Sequence, residues 1–196
     1  MIRYADSVGA IAKLRGDAVC VSTMTQSRYW NKASKRPDLD IGISNGMSKA
    51  SSVGFGIALG RPDRKVLVLD GDGSLLMNLG SLVTVAGKGP ANFYHFVFDN
   101  GIYAVTGGQP VPHRADFRGL ALASGYRAAY DFDDFEAFST ELPRIMREHG
   151  PVLVNLRTVP EPAAHGVDQT WESNARMPRQ MRDVQAALAK RREPRA

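Results

Sequence analysis

The sequence predicts an α/β fold, in which a three-layer, doubly wound and mostly parallel β-sheet carries helices on both faces. Two observations predict it. Short β-branched runs alternate along the chain with segments of helical periodicity, which is typical of strand–helix–strand units. Two of these runs, VLVLD at 66–70 and HFVFD at 95–99, are apolar at nearly every position, as expected for central strands buried on both faces.

The individual elements follow from the same patterns. β-branched and aromatic content predicts the strands. These are Ala18–Ser22, Asp40–Ser44, Val66–Asp70, Phe93–Asp99, Arg127–Tyr130 and Val152–Arg157. Apolar positions three or four residues apart predict the helices. These are Ala5–Leu14, Lys49–Leu59, Met77–Gly87, Phe117–Ser124 and Asp133–Glu148. Pro143 is expected to kink or break the last of them.

The chain is expected to hold one main domain. Its 196 residues are the size of one ordinary domain. After Pro160 the alternation of strands and helices loosens, and a helical pattern then runs from Arg179 to Lys190. We therefore predict a cofactor-binding domain over residues 1–160 and a C-terminal extension over residues 161–196, partly helical or disordered.

Composition and charge exclude several classes of protein. The chain is 43% hydrophobic and 23% charged, which fits a globular protein with a full core. Its net charge of +5 lies mostly in the segment from Trp171 onward, whose net charge is +4. The rest of the chain is nearly neutral, so the charge is only a weak indication of nucleic-acid binding. The single cysteine, Cys20, excludes an internal disulfide framework, a cysteine-rich zinc site and a chain-borne iron–sulfur cluster.

Location follows from two further features of the sequence. The longest apolar run falls short of the roughly 20 residues of a membrane helix. The start MIRYADSVGA lacks the apolar stretch of a signal peptide. We therefore expect a cytoplasmic protein that has neither a membrane nor a nucleic acid as its partner.

Two glycine clusters need to be compared with nucleotide-binding motifs. GFGIALG, at 54–60, has no strand before it and has the wrong spacing for a dinucleotide fingerprint. We interpret it as a helix that packs closely on the sheet through its small face. GDGS, at 71–74, does follow a strand, but Leu76 stands where the third glycine of a Rossmann fingerprint would be. The chain has no G-x-x-x-x-G-K-[ST] sequence, so Rossmann and P-loop sites are both excluded.

GDGS predicts an anion site of a different kind. Asp72 would lie at the carboxyl end of a buried strand, where open α/β sheets bind ligands. Gly73 and Ser74 would present backbone N–H groups at a helix N-terminus, which suits a diphosphate. A carboxylate beside an anion is repulsive unless a cation lies between them. Asp72 therefore predicts a Mg²⁺ ion.

A second oxygen ligand follows the next buried strand. Asn100 stands 28 residues after Asp72, and a right-handed crossover would bring both residues to the same edge of a parallel sheet. Gly101 would allow a sharp turn that presents the backbone carbonyl of Ile102 as a third ligand. Alone, the sequence Asp-Asn-Gly indicates an ordinary turn. Its pairing with GDGS favours a metal site.

GDGS followed by an asparagine at this spacing resembles the diphosphate-binding motif of thiamine diphosphate enzymes, which lies in their C-terminal, PP-type domain. MSKASSVGFGIALGRPDRKVLVLDGDGSLLMNLGSLVTVA and FDNGIYAVTGGQ are similar to the β subunits of sulfopyruvate decarboxylases and to phosphonopyruvate decarboxylases. The resemblance runs from about Asp17 to Pro160. It implies the thiamine diphosphate-binding fold, with thiamine diphosphate and Mg²⁺ as cofactors.

The resemblance also implies roles for individual residues. The implied metal ligands are Asp72, Asn100 and the Ile102 carbonyl. The implied cofactor-binding residues are Asn45, Gly46, Met47, Gly71, Gly73, Ser74 and Tyr103. Met47 matches the side chain that wedges under the thiazolium ring, although a methionine that fills a gap in the core is the alternative. The Asn45 carbonyl and the Met47 amide would hydrogen-bond the aminopyrimidine edge. The family usually has Gly-Met-Gly here, whereas this chain has Ser48 as the last residue.

The segment after the metal turn matches the T-G-G-Q stretch of the same enzymes. It could close over the cofactor, and it supplies Thr106, Gln109 and His113, which with Met47 form the predicted catalytic set. His113 and Arg114 are donors suited to an anionic substrate tail, although a surface-loop histidine is the alternative. Thr23 and Thr25 could also face the cleft, or could simply form a turn.

One part of the expected active site is missing from the sequence. In this family the pyrimidine ring is activated by a glutamate on a separate domain. About 45 residues precede Met47, too few for a domain of about 150 residues. We therefore expect a separate pyrimidine-binding subunit that supplies this glutamate, in a hetero-oligomer.

These expectations combine into one function. The chain is predicted to be the thiamine diphosphate-binding subunit of a two-subunit 2-oxo acid decarboxylase, a carboxy-lyase acting on 3-sulfopyruvate or 3-phosphonopyruvate. The alternative is a subunit of an acetolactate-synthase-like carboligase or C–C lyase. A 2-oxoacid:ferredoxin oxidoreductase β subunit is disfavoured because its cluster cysteines are absent. A non-catalytic cofactor-binding or regulatory protein remains open.

Overall fold

A computed structural model describes residues 1–43, 46–112, 115–161 and 172–189 of the chain. Six strands form one parallel sheet. They are β1 (Val19–Thr23), β2 (Asp40–Ile43), β3 (Val66–Gly71), β4 (Phe93–Asp99), β7 (Ala128–Phe132) and β8 (Val152–Arg157). Their order across the sheet is β2–β1–β3–β4–β8–β7. Two short strands, β5 (Ile102–Tyr103) and β6 (Gln109–Pro110), pair antiparallel beside the sheet.

Eight α-helices are described, together with two short 3₁₀ helices at Pro37–Leu39 and Ala104–Thr106. The α-helices are α1 (Tyr4–Leu14), α2 (Met24–Ala33), α3 (Ala50–Gly60), α4 (Asp72–Leu76), α5 (Gly80–Lys88), α6 (Phe117–Ser124), α7 (Phe135–Ile145) and α8 (Glu172–Ala189). None of these described helices is long and apolar enough to cross a membrane.

The helices cover both faces of the sheet. On one face, residues of α3, α5, α6 and α8 share a hydrophobic core with the sheet. On the other face, α1, α2 and α7 do the same. The three-layer, doubly wound α/β fold predicted from the sequence is therefore confirmed.

Two strands and one helix have the predicted bounds, and other elements differ. The predicted helix Met77–Gly87 is wrong in its bounds. The chain becomes helical directly after β3 at Asp72, leaves the helix after Leu76 and resumes it at Gly80. Helix α2 was not predicted, and its sequence MTQSRYWNKA is mostly polar. Pro143 lies inside α7 near its end, where a missing N–H and a bulky ring disturb the helix little.

The C-terminal helix packs on the edge strand of the sheet. Helix α8 begins at Glu172, earlier than predicted, and lies against β2. The N–H of Gly42 donates to Oε1 of Gln180 at 3.0 Å, so a side chain of α8 covers an edge-strand donor. Residues 162–171 and 190–196 of the predicted extension lie outside the described residues. The domain boundary at residue 160 stays a prediction.

The strand order places a crevice where the site residues are. The chain passes from β1 outward to β2, and then returns across β1 to β3 and β4. Connections therefore leave β1 and β3 in opposite directions, and a crevice opens between their carboxyl ends. Ligands bind at such topological switch points in open α/β sheets. The segments that follow β1 and β3, at 24–26 and 71–74, meet there.

The small-residue helix α3 lies close against the sheet, as the sequence predicts. A Cβ atom added at Gly54 would lie 2.4 Å from Cγ2 of Val68 in β3 and 3.4 Å from a ring carbon of Phe93. A Cβ atom added at Gly56, on the exposed side of α3, meets nothing within 4 Å. Gly54 is therefore required by packing, whereas Gly56 is not.

These two glycines give a matched pair of variants. We expect Gly54→Ala to lower the free energy of unfolding by about 1–3 kcal/mol, because β3 must move to admit the methyl group. Gly56→Ala should leave that free energy unchanged or raise it by up to about 1 kcal/mol, since alanine favours the helix. Urea denaturation of both variants measures the difference. Equal stabilities would contradict the close packing of α3.

Candidate active site

A cleft opens at the carboxyl ends of β1, β3 and β4. It is lined by residues 24–26, 47, 71–74, 100 and 102–106. The predicted site residues that line it are Met47, Gly71, Asp72, Gly73, Ser74, Asn100, Ile102, Tyr103 and Thr106. The structure thus brings most of the predicted set together, although these residues are spread over some sixty positions of the sequence.

The Asp72 carboxylate is the charged group at the centre of this cleft. Asp72 is buried and follows β3 directly. Burial raises its pKa to about 6, and the nearby Asp99 also raises it, whereas hydrogen bonds from the backbone of Gly73 and Gly101 lower it. The Gly101 N–H donates to Oδ2 of Asp72 at 2.7 Å. An ionised Asp72 is therefore costly here unless a cation reaches it.

Asn100 lies at the end of the neighbouring strand and is also buried. Its Oδ1 accepts from the N–H of Ile102 at 2.9 Å, and its Nδ2 donates to the hydroxyl of Tyr4 at 2.7 Å. Gly101, between Asn100 and Ile102, has a φ of +74°, in the left-handed region that favours glycine. The sharp turn predicted at Gly101 is present, and it links Asn100 to Asp72 through the Gly101 N–H.

Within the GDGS turn, the position of Gly73 has no room for a side chain. A Cβ atom at Gly73 would lie 2.5 Å from the ring of Tyr103, so the ring packs directly on the backbone of Gly73. Ser74 accepts through Oγ from the N–H of Ser48 at 2.9 Å. The helix after β3 is thereby tied both to the Tyr103 segment and to the turn that carries Met47.

The Met47 turn contains a strained residue. Gly46 accepts at its carbonyl from the N–H of Lys49, which closes the turn, and Met47 lines the cleft. Ser48 has a φ of +72°, at the position where the resembling enzymes usually have glycine. A serine held in this conformation costs of order 1 kcal/mol, and its bond to Ser74 helps to hold it. The predicted cofactor residue Asn45 lies outside the described residues.

Only some of the catalytic residues predicted in the segment after Ile102 are found in the cleft. Thr106 lines the cleft, but its hydroxyl donates to Oε1 of Gln109 at 2.8 Å, and Gln109 returns a bond to the Thr106 carbonyl. The Gln109 side chain is exposed and is not among the cleft residues. The structure therefore does not place Gln109 in the cleft. His113 and Arg114 lie outside the described residues.

Two residues of the site were missed by sequence reasoning. Gln26, in the first turn of α2, lines the cleft and is almost fully buried, and its Oε1 has no hydrogen-bond partner among the described residues. Tyr4, in α1, holds Asn100. The unpredicted helix α2 also places Thr25 in the cleft, while Thr23 instead donates to the Ile43 carbonyl. No motif in the sequence signals Gln26 or Tyr4.

The donors of the cleft fit Mg²⁺ and a diphosphate. A carboxylate, a side-chain amide oxygen and a backbone carbonyl are the oxygen ligands that Mg²⁺ takes. Gly73 has no side chain, so its backbone lies beside these ligands in contact with the Tyr103 ring, and the unpaired Gln26 Oε1 offers a further polar atom. The left-handed φ of +48° at Met24, like that of Ser48, indicates strain stored at this cleft.

Sequence comparison agrees with this geometry. Residues 17–156 match the family described as thiamine pyrophosphate enzyme, C-terminal TPP binding domain. The chain belongs to this family. The cofactor of the family is the one for which the cleft provides donors.

Individual relatives are decarboxylases by name. Phosphonopyruvate decarboxylase of Streptomyces viridochromogenes is 40% identical over 151 residues, which cover 76% of this chain and 38% of the relative. Sulfopyruvate decarboxylase subunit beta of Methanothermobacter thermautotrophicus is 38% identical over 115 residues, which cover 58% of this chain and 59% of the relative. The matched part of the chain therefore spans less than two thirds of either relative.

Solved structures show the same fold. The thiamine diphosphate-dependent 4-hydroxybenzoylformate decarboxylase of Rhodococcus jostii superposes with a TM-score of 0.70 at 21% identity, covering 83% of this chain and 33% of that chain. At this identity the likeness establishes the fold alone.

The unpaired Gln26 gives a prediction about stability. Replacing it by methionine should leave the free energy of unfolding of the ligand-free chain unchanged or raise it by about 1 kcal/mol, because no bond to Oε1 is lost. Asn92, another buried amide, donates to the carbonyls of Arg61 and Arg64. Asn92→Leu should lower the free energy of unfolding by about 1–3 kcal/mol for each carbonyl that it leaves unpaired. Urea denaturation compares the two, and an equal loss in Gln26→Met would show that Gln26 is a structural amide.

Proposed function

We propose that this chain is the thiamine diphosphate-binding subunit of a two-subunit 2-oxo acid decarboxylase. The observation that carries the proposal is the meeting of Asp72 and Asn100 at the ends of neighbouring parallel strands, joined through the Gly101 N–H. Membership of the thiamine pyrophosphate enzyme family and the names of the relatives support it.

The metal and the diphosphate are assigned to the cleft in this proposal. Asp72, Asn100 Oδ1 and the Ile102 carbonyl bind Mg²⁺, and the ion offsets the cost of the buried carboxylate. Gly73 and Ser74 bind the diphosphate through backbone N–H groups, with Gly71 beside them. A cation held by these residues would offset the repulsion between the Asp72 carboxylate and the diphosphate.

The remainder of the cleft positions the cofactor. The Met47 side chain would support the thiazolium ring, and the Met47 amide and the Asn45 carbonyl would hydrogen-bond the aminopyrimidine edge. Tyr103, which packs on Gly73, shields the diphosphate from water. When bound, thiamine diphosphate supplies an electron sink for the loss of CO₂ from a 2-oxo acid.

The substrate is a 2-oxo acid with an anionic 3-substituent, 3-sulfopyruvate or 3-phosphonopyruvate. The names of the relatives support this choice over a carboligase substrate. Thr106 contacts the substrate from the cleft wall, and His113 and Arg114 contact its anionic tail. Among the cleft residues in the described ranges there is no lysine or arginine, so a cation for that tail comes from elsewhere, either from Arg114 or from the second subunit.

The second subunit supplies the pyrimidine-binding domain and its activating glutamate, which makes the enzyme a hetero-oligomer. The relative from Methanothermobacter thermautotrophicus is named a subunit beta, which supports such a partner. Met77 and Val83, after the GDGS helix, are exposed apolar side chains that a partner could cover. A cytoplasmic location is part of this proposal, and neither a nucleic acid nor a membrane is a partner.

The test is CO₂ release from 3-sulfopyruvate, 3-phosphonopyruvate and pyruvate. The chain alone should be inactive, and activity should appear when it is combined with a pyrimidine-binding chain from a neighbouring gene. Asp72→Asn should lower kcat/KM at least 100-fold, because the ligand charge is lost. Asp63→Asn, at an exposed carboxylate paired with Arg61, should not change it.

Three outcomes would contradict the proposal. The isolated chain could decarboxylate at full rate, which would remove the need for a second subunit. Asp72→Asn could be as active as Asp63→Asn, which would remove the metal site. The assembled protein could join two 2-oxo acids faster than it releases a free aldehyde, which would favour the carboligase.

A further inference from the structure

Tyr4 is a fully buried tyrosine that lies next to the proposed metal site. Its ring is stacked between Tyr29 of α2 and Phe98 of β4, with centroid distances of 5.4 Å on each side. The segment before it is fixed to the sheet, because the Ile2 N–H donates to the Arg157 carbonyl at 2.8 Å and the Ile2 carbonyl accepts from Val159 at 3.0 Å. The position of the Tyr4 ring is therefore fixed by stacking on both faces and by the backbone bonds of Ile2.

The Tyr4 hydroxyl interacts with the side chains of Asn100 and Thr158, and the bond to Asn100 is the one that reaches the site. Nδ2 of Asn100 donates to Oη of Tyr4 at 2.7 Å, across 96 positions of sequence. At the other end of the amide, Oδ1 accepts from the Ile102 N–H at 2.9 Å. A rotation of the amide by 180° would place the NH₂ group against the Ile102 N–H, so that N–H selects the orientation. The Tyr4 hydroxyl can donate as well as accept, so its part is to restrain the amide in the orientation that the Ile102 N–H selects.

The orientation of the Asn100 amide matters because only its oxygen can bind a cation. Oδ1 carries lone pairs that can bind a metal ion, whereas the NH₂ group presents hydrogens that a cation repels. Some residues do not touch a metal ion but hydrogen-bond one of its ligands and fix the orientation of that ligand. Loss of such a residue typically weakens metal binding 10–100-fold. The ring stacking of Tyr4 would be equally satisfied by phenylalanine, so it does not account for a buried hydroxyl.

We propose that Tyr4 is a positioning residue for the metal site: its hydroxyl holds the Asn100 amide so that Oδ1 faces the ion. The inference rests on the proposed function, because it takes Asn100 as a ligand of Mg²⁺. It adds α1, at the far N-terminal end of the described sequence, to the determinants of metal affinity.

The experiment is a calorimetric titration of Mg²⁺ at saturating thiamine diphosphate, on the full chain assembled with its partner subunit. Tyr4→Phe keeps the ring and removes the hydroxyl, and it should weaken Mg²⁺ binding 10–100-fold. Tyr94→Phe is the control, because it also removes the hydroxyl of a buried tyrosine, one that donates to the Glu148 carbonyl at 2.5 Å. It should leave Mg²⁺ affinity unchanged.

A second variant separates orientation from general loosening. In Asn100→Asp either carboxylate oxygen can bind the ion, so adding Tyr4→Phe to this background should change Mg²⁺ affinity less than threefold. An equal loss in both backgrounds, or wild-type affinity in Tyr4→Phe alone, would overturn the positioning role while leaving the proposed function intact. Absence of Mg²⁺-dependent cofactor binding in the wild-type assembly would instead contradict the proposed function, and the inference with it.

Discussion

A carboxylate buried at the carboxyl end of a central strand is the constraint on which the rest of this site depends. Asp72 lies near Asp99, and burial raises its pKa to about 6. No cationic side chain reaches the cleft from the residues that the structure describes. A carboxylate in this setting is stabilised by a bound cation, which explains why oxygen donors from the next strand and its turn are gathered around it.

The parallel sheet makes this gathering possible. Because β3 and β4 are neighbours in register, with Gly71 opposite Phe98, the residues that follow them lie at the same edge. The reversal of strand order beside β1 then opens the crevice in front of them. Local strain is confined to the same place: the two non-glycine residues of the described chain with left-handed φ, Met24 and Ser48, line or adjoin the cleft.

Much of this arrangement could be predicted from sequence, because its signals are local. The apolar runs at Phe93–Asp99 and Val152–Arg157 gave strands with the observed bounds. The approach of Asp72 to Asn100 follows from strand parallelism and chain order. Tyr4 and Gln26 could not be predicted in this way. Tyr4 meets Asn100 across 96 positions, and Gln26 lies in a mostly polar helix, so neither contact leaves a pattern in neighbouring residues.

The central claim is that Asp72 and Asn100 jointly bind the metal that bridges to the diphosphate. The most direct test is an anomalous diffraction measurement on crystals of the chain with its partner subunit, grown with Mn²⁺ and thiamine diphosphate. The account predicts one strong anomalous peak within ligand distance, about 2.1 Å, of an Asp72 carboxylate oxygen and of Asn100 Oδ1. A peak bound elsewhere, or a diphosphate seated in the cleft with no metal between it and Asp72, would contradict it.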